Sequence, residues 1–203
     1  LRMNELQKQG YPGFIVVGID CPEDEMARTL EYAFPMKQTN RFEKQVGEKI
    51  PLSYPDKLLD YIANELKPII DKWFSTRKER EYTACGGSSM GGIFALNLMT
   101  KYPQIFSFSL SFSPAYHLHY KKDVIKLMNS RIKNLDNKNS VYLYSGMVGF
   151  EKDFVRPAKY MKTYLDKHNV RNKMVIDSKG KHCERDWSRH FSDAIKFWFN
   201  NIK

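Results

Sequence analysis

Residues 81–92 read Glu81-Tyr-Thr-Ala-Cys-Gly-Gly-Ser-Ser-Met-Gly-Gly92. The first five suit a strand, and Met90 onward suits a helix through residue 101. Between them lie glycines that a strand-to-helix turn needs where neighbouring backbone passes too close for a Cβ. One serine fits the spacing Gly-x-Ser-x-Gly: Ser89, between Gly87 and Gly91. Ser88 would need glycine at position 90, where Met90 stands. Such a turn holds a nucleophile in a strained backbone at a helix N-terminus. The helix dipole and the Met90 N–H there favour a developing negative charge. No Gly-Lys-Ser/Thr follows, so the stretch is not a phosphate-binding P-loop.

Outward from this turn, strands and helices alternate. Phe14-Ile-Val-Val-Gly-Ile19 is a continuous apolar run after Pro12-Gly13 and predicts a strand buried on both faces. Residues 55–74 have helical spacing (Leu58, Leu59, Ile62, Leu66, Ile69, Ile70, Trp73), with a kink expected at Pro68. Phe106-Ser-Phe-Ser-Leu-Ser-Phe-Ser113 alternates with period two and predicts a strand. Further strands are expected at 141–145 and 173–177, with helices at 154–168 and from about Glu184. The pattern predicts one α/β domain over residues 1–203, with helices layered on a mostly parallel sheet.

A serine nucleophile needs a base, and the base needs an orienting carboxylate. In α/β-hydrolases they follow in the order serine, acid, histidine. Of the five histidines, His117 and His119 come too early. His168 lies near the end of an amphipathic helix, and His190 is inside the last one. His182 follows the last strand and a Ser-Lys-Gly-Lys turn, just before the final helix, and is the candidate base. The acid is expected in the loop after strand 141–145. Glu151 and Asp153 are both available there, and Glu151 is favoured because it comes first. Tyr116, His117, Tyr120 and the loop 146–155 are candidate walls of a substrate pocket.

The composition narrows the classes. Apolar residues make up 42% of the chain, enough for a globular core, and no apolar run approaches the length of a membrane span. The net charge of +10 resides in the second half: residues 117–203 hold 19 Lys and Arg against 9 Asp and Glu. These are scattered and mostly lysine, with no nucleic-acid motif, so a solvated basic surface is expected rather than a nucleic-acid partner. Cys21, Cys85 and Cys183 are far apart and match no metal-binding spacing. Three free thiols and no signal peptide at the start of this chain lead to an expected cytoplasmic location, with no metal or cofactor.

With these residues in hand, the chain resembles the putative-esterase family, the esterase D-like branch of the α/β-hydrolases. That group includes S-formylglutathione hydrolases, feruloyl and acetyl-xylan esterases, siderophore esterases and mycolyltransferases. Gly86-Gly-Ser-Ser-Met-Gly-Gly92 resembles its nucleophile elbow, and His182-Cys-Glu-Arg-Asp-Trp187 its His-x-Glu-x-x-Trp segment, with the catalytic histidine first. Arg28-Thr-Leu-Glu-Tyr32, Ser113-Pro114 and residues 14–20 resemble further family segments. The resemblance implies a three-layer α/β-hydrolase sandwich and a serine carboxylesterase acting on a small ester or thioester. Ser89, His182 and Glu151 would be the catalytic residues and Met90 N–H an oxyanion donor.

An acyltransferase with the same acyl-enzyme, or a non-catalytic binding module, are the alternatives. The loop Met147-Val-Gly-Phe150 is longer than the family's usual turn before the acid. Family members also carry strands before the segment that starts here, and an early loop with a second oxyanion donor. The chain thus reads as N-terminally truncated, with weak turnover expected, because losing one such donor costs about a hundred- to a thousandfold. An open sheet edge would favour a homo-oligomer.

Overall fold

The alternation at 106–113 sorts side chains to the two faces of a central strand. In the computed structural model, which describes residues 2–200 and 202, β1 (Ala84–Ser88), β2 (Phe108–Phe112), β3 (Ser140–Gly146) and β4 (Arg171–Asp177) form one sheet in the order β1-β2-β3-β4. All three pairings are parallel, with Ser88 opposite Phe112 and Phe112 opposite Tyr144. On β2 the apolar residues Phe108, Leu110 and Phe112 point to one face, where they pack with Tyr142, Tyr144, Trp187, Ile195 and Trp198. Ser109 and Ser111 point to the other. There Ser111 Oγ donates to the Gly92 carbonyl at 2.8 Å, and small side chains let the helix that begins at Met90 lie close.

Helices cover both faces, as a parallel sheet requires. Before the sheet come α1 (Arg2–Lys8), α2 (Glu25–Tyr32), α3 (Asn40–Val46), α4 (Asp56–Tyr61) and α5 (Lys67–Trp73). The crossovers are α6 (Met90–Lys101), α7 (Lys121–Arg131) and α8 (Lys152–Lys167). They share a core of Ile93, Leu96, Met99, Met128, Val141, Leu143, Met161 and Leu165 on one face. On the other, α9 (Glu184–Phe199) packs on the aromatic residues of β2 and β3, and Leu6 of α1 joins the same core. Just ahead of Pro68, α4 runs into α5 through a π-helical turn, Ile62–Leu66, which widens the helix. Among the described residues no helix is long and apolar enough to cross a membrane.

Two expectations are corrected. The glycine-rich stretch is itself strand: β1 begins at Ala84 and runs through Gly86 and Gly87, while Arg80–Tyr82 form a 3-10 turn where the strand was expected to begin. Residues 14–19 form no strand. They lie outside the sheet, with Val16 73% exposed. An apolar run signals burial but not its hydrogen-bonding partner, and here no strand lies alongside. Instead, the segment and β1 line a common apolar cavity of about 730 Å³, to which α6 and α9 also contribute.

Candidate active site

Ser89 is the residue between β1 and α6, at φ 57° and ψ −120°, a backbone that L-residues rarely adopt. Backbone bonds hold it there. Its N–H donates to Phe112 O at 2.9 Å, and its carbonyl accepts from Gly92 N–H and Ala115 N–H, both at 3.1 Å. A Cβ on Gly87 would stand 2.6 Å from the Gly91 carbonyl, so the turn cannot close around a larger residue. The side chain of Ser89 thereby sits at the N-terminus of α6. Met90 N–H is the first amide of that helix and has no partner within it. Ser89 Oγ makes no hydrogen bond to another described residue.

Glu151 ends a 3-10 turn, Gly149–Glu151, in the loop after β3, and is fully buried. His182 lies in the loop between β4 and α9. Its Nδ1–H donates to Glu151 Oε1 at 3.0 Å. A carboxylate only accepts, so Nδ1 carries the proton and Nε2 keeps its lone pair. Ser113 Oγ donates to the same oxygen at 2.5 Å. The structure thus brings His182 and Glu151 together. Asp153 instead faces outward from α8 and pairs with Arg41 at 3.1 Å.

The two loops that carry this pair are fastened to each other. Met147 N–H and Val148 N–H, after β3, donate to the Gly180 carbonyl at 3.1 and 3.0 Å. Lys181 N–H donates to Asp186 Oδ2 at 2.6 Å, tying the histidine loop to the first turn of α9. Aromatic rings surround His182: Phe150 at 4.9 Å, Phe154 at 4.7 Å and the edge of Trp187 at 4.9 Å between centroids. Phe154 also packs with Met90, next to Ser89.

The remaining histidines divide between this patch and the core. His117 packs on Phe154 at 4.5 Å, and burial pushes its pKa below the ordinary imidazole value, partly offset by Asp153. His119 is buried away from the site, where its Nε2 accepts Phe34 N–H at 3.2 Å. His168 and His190 bond to Tyr164 O and to Asp177, respectively.

Of the expected pocket walls, His117 and the loop 146–155 border His182. Tyr116 does not: it is buried and stacked on Phe34 in the core. Tyr120 OH accepts Asn40 N–H at 3.1 Å. The alternation that makes 106–113 a strand does not show which side of the turn after it faces solvent. Sequence reasoning gave Ser113 no role beside Glu151. Its place directly after β2, before Pro114, was the available signal. Among the described residues, no group of three or more His, Cys, Asp or Glu side chains is placed to hold a metal ion.

A family model described as Putative esterase matches residues 5–196. The ferri-bacillibactin esterase BesA of Bacillus subtilis (strain 168) is 26% identical over 138 residues, which are 66% of this chain and 46% of that protein. The chain therefore spans about half the length of this curated relative. Among solved structures, the enterobactin esterase FES from Shigella flexneri, in the presence of enterobactin, superposes with a TM-score of 0.59 at 17% identity, over 74% of this chain and 38% of that one. An IroE-like serine hydrolase from Shewanella oneidensis also gives 0.59, at 16% identity, over 86% and 55%.

Proposed function

The chain belongs to the Putative esterase family, and from that membership we propose that it is a serine esterase in which Ser89 is the nucleophile, His182 the base and Glu151 the orienting acid. The observation that carries this reading is the hydrogen bond from His182 Nδ1–H to the buried Glu151 carboxylate, beside a nucleophile elbow built on Ser89.

In this reading, Ser89 Oγ attacks the ester carbonyl while His182 Nε2 takes its proton. The tetrahedral oxyanion accepts a hydrogen bond from Met90 N–H at the start of α6. Collapse expels the alcohol, which takes the proton from His182. Water then attacks the acyl-Ser89 ester and gives a proton to His182. Release of the acid returns that proton to Ser89. Glu151 keeps the imidazole in the tautomer that leaves Nε2 free, and stabilises the imidazolium that forms. The Ser89–His182 hydrogen bond belongs to the substrate complex, since such bonds tighten as the reacting group is bound.

Hydrolysis of p-nitrophenyl acetate tests the reading. Activity present in the protein and abolished in a folded Ser89→Ala variant supports it; full turnover in Ser89→Ala overturns it. Ferri-bacillibactin and enterobactin, the compounds in the names of two relatives, are the physiological esters to assay first.

A further inference from the structure

Glu151 is fully buried, and among the described residues its carboxylate has two donors. Oε1 accepts from both His182 and Ser113, while Oε2 is buried without a partner. A buried carboxylate is costly unless donors compensate it, so the hydroxyl of Ser113 matters. A serine hydroxyl has one proton and rotates freely between donating and accepting. Here the Trp187 indole sets its direction. Trp187 Nε1–H lies 3.0 Å from Ser113 Oγ and can only donate. Ser113 Oγ therefore accepts from Trp187 and sends its own proton to Glu151, in a short, charge-assisted bond.

The arrangement draws on three elements: the end of β2, the turn after β3 and the first turn of α9. It also holds Ser113 at φ 43°, a left-handed backbone that a residue other than glycine adopts only when its surroundings impose it. Ser113 N–H, donating to Tyr144 O at 2.7 Å, is one such restraint.

We propose that Trp187 and Ser113 form a positioning relay: the indole orients the hydroxyl, the hydroxyl holds Glu151, and Glu151 holds His182 for proton transfer. The relay rests on the serine-esterase reading. Neither residue touches the reacting atoms. Other titratable or charged groups around the pair are Tyr144 on β3, His117 after β2, Asp153 on α8 with its partner Arg41, and Asp186 with Arg189 on α9. None of them hydrogen-bonds Glu151.

The test is the pH dependence of kcat/KM in two variants, each first shown folded by circular dichroism. Ser113→Gly removes the hydroxyl at a position whose positive φ suits glycine. Trp187→Phe keeps a ring against His182 but removes the N–H. Without its donor the carboxylate holds a proton more readily, on itself or through His182, so the acid limb moves to higher pH. The expected shift is about one unit in Ser113→Gly, the effect of losing one charge-assisted hydrogen bond. It is smaller in Trp187→Phe.

Because the indole acts through the hydroxyl, the double variant moves no further than Ser113→Gly alone. An unmoved acid limb in Ser113→Gly, or two shifts that simply add, overturns the relay. If Trp187→Phe does not fold, Ser113→Gly decides alone. Ser89→Ala, assayed alongside, separates the failures. Full activity in Ser89→Ala defeats the esterase reading itself. Loss of activity there, with an unmoved limb in Ser113→Gly, defeats only the relay.

Discussion

Gly146 and Gly180 approach so closely that a Cβ on Gly146 would stand 2.3 Å from the Gly180 carbonyl oxygen. That contact joins the end of β3, which leads to Glu151, to the loop that leads to His182. Space, rather than backbone conformation, demands glycine here, because neither residue has a positive φ. Gly146→Ala must part the two loops. Overpacking against backbone costs about 1–3 kcal/mol. A displacement of about 1 Å between catalytic groups can lower turnover about a hundredfold. The expected result is a lower melting temperature together with a collapse of kcat. Wild-type values for both would mean that the loops tolerate separation.

Glu151 and Asp153 should respond very differently to loss of charge. Glu151→Gln removes the charge and puts an NH2 donor in place of one acceptor oxygen, so the His182 tautomer is no longer fixed, and kcat should fall by about 10⁴, as when an orienting carboxylate becomes an amide in a serine triad. Asp153 is half exposed and pairs with an exposed Arg41, a contact worth about 0–1 kcal/mol. Asp153→Asn should stay within a few-fold of wild type. Steady-state kinetics on p-nitrophenyl acetate would settle the choice, and the reverse ranking would exchange their roles.

The parts of this site that could be read from sequence are those whose chemistry is local. Glycines at 87 and 91 around Ser89 reflect a turn that closes within five residues. His182 stands out because a strand, a turn and an amphipathic helix bracket it within twenty. Period-two alternation at 106–113 placed Phe108, Leu110 and Phe112 on one face of β2. What escaped depends on contacts far apart in the chain. The hydrogen bonds of Ser113 reach Glu151 and Trp187, 38 and 74 residues away. Tyr116 faces Phe34 rather than the site. Residues 14–19 have the composition of a buried strand, but strand formation requires a partner that no local pattern encodes.

His119 makes stability depend on acidity. Burial lowers its pKa to about 4, against the 6.5 of a free imidazole, outweighing its bond to Lys37 O. The folded state therefore favours neutral His119, whose Nε2 accepts Phe34 N–H. Above pH 6.5 both states leave it neutral and the fold is not penalised. As pH falls from 6.5 towards 4, the unfolded chain binds the proton first and stability declines, by about 3 kcal/mol in total. Urea unfolding across this range measures the slope. His119→Gln, which retains an acceptor but does not titrate, should flatten it.

Cys85 should be the unreactive thiol. Burial pushes its pKa up to about 12, and its Sγ donates to Ala95 O at 3.1 Å against α6. The thiolate is the reactive form, so a disulfide reagent at pH 8 should leave Cys85 unmodified in the folded protein and label it only in denaturant. Cys21 is exposed and should react at once. Peptide mapping after labelling distinguishes the sites. Rapid native labelling of Cys85 would show that β1 opens away from α6.

The segment 14–19 offers the most direct check of the fold's departure from its sequence pattern. No backbone hydrogen bond holds its amides among the described residues, whereas every residue of β2 and β3 lies within the sheet and is buried. Hydrogen exchange should therefore be fast through Phe14–Ile19 and slow through Phe108–Phe112 and Ser140–Gly146. Substitution should follow the same division. Val16→Ser, at an exposed position, should change stability by less than about 0.5 kcal/mol. Leu143→Ala, in the core, should cost about 2–5 kcal/mol. Slow exchange at 14–19, with a large cost for Val16→Ser, would mean that this run is paired and buried in solution. The cavity between it and β1 would then be closed.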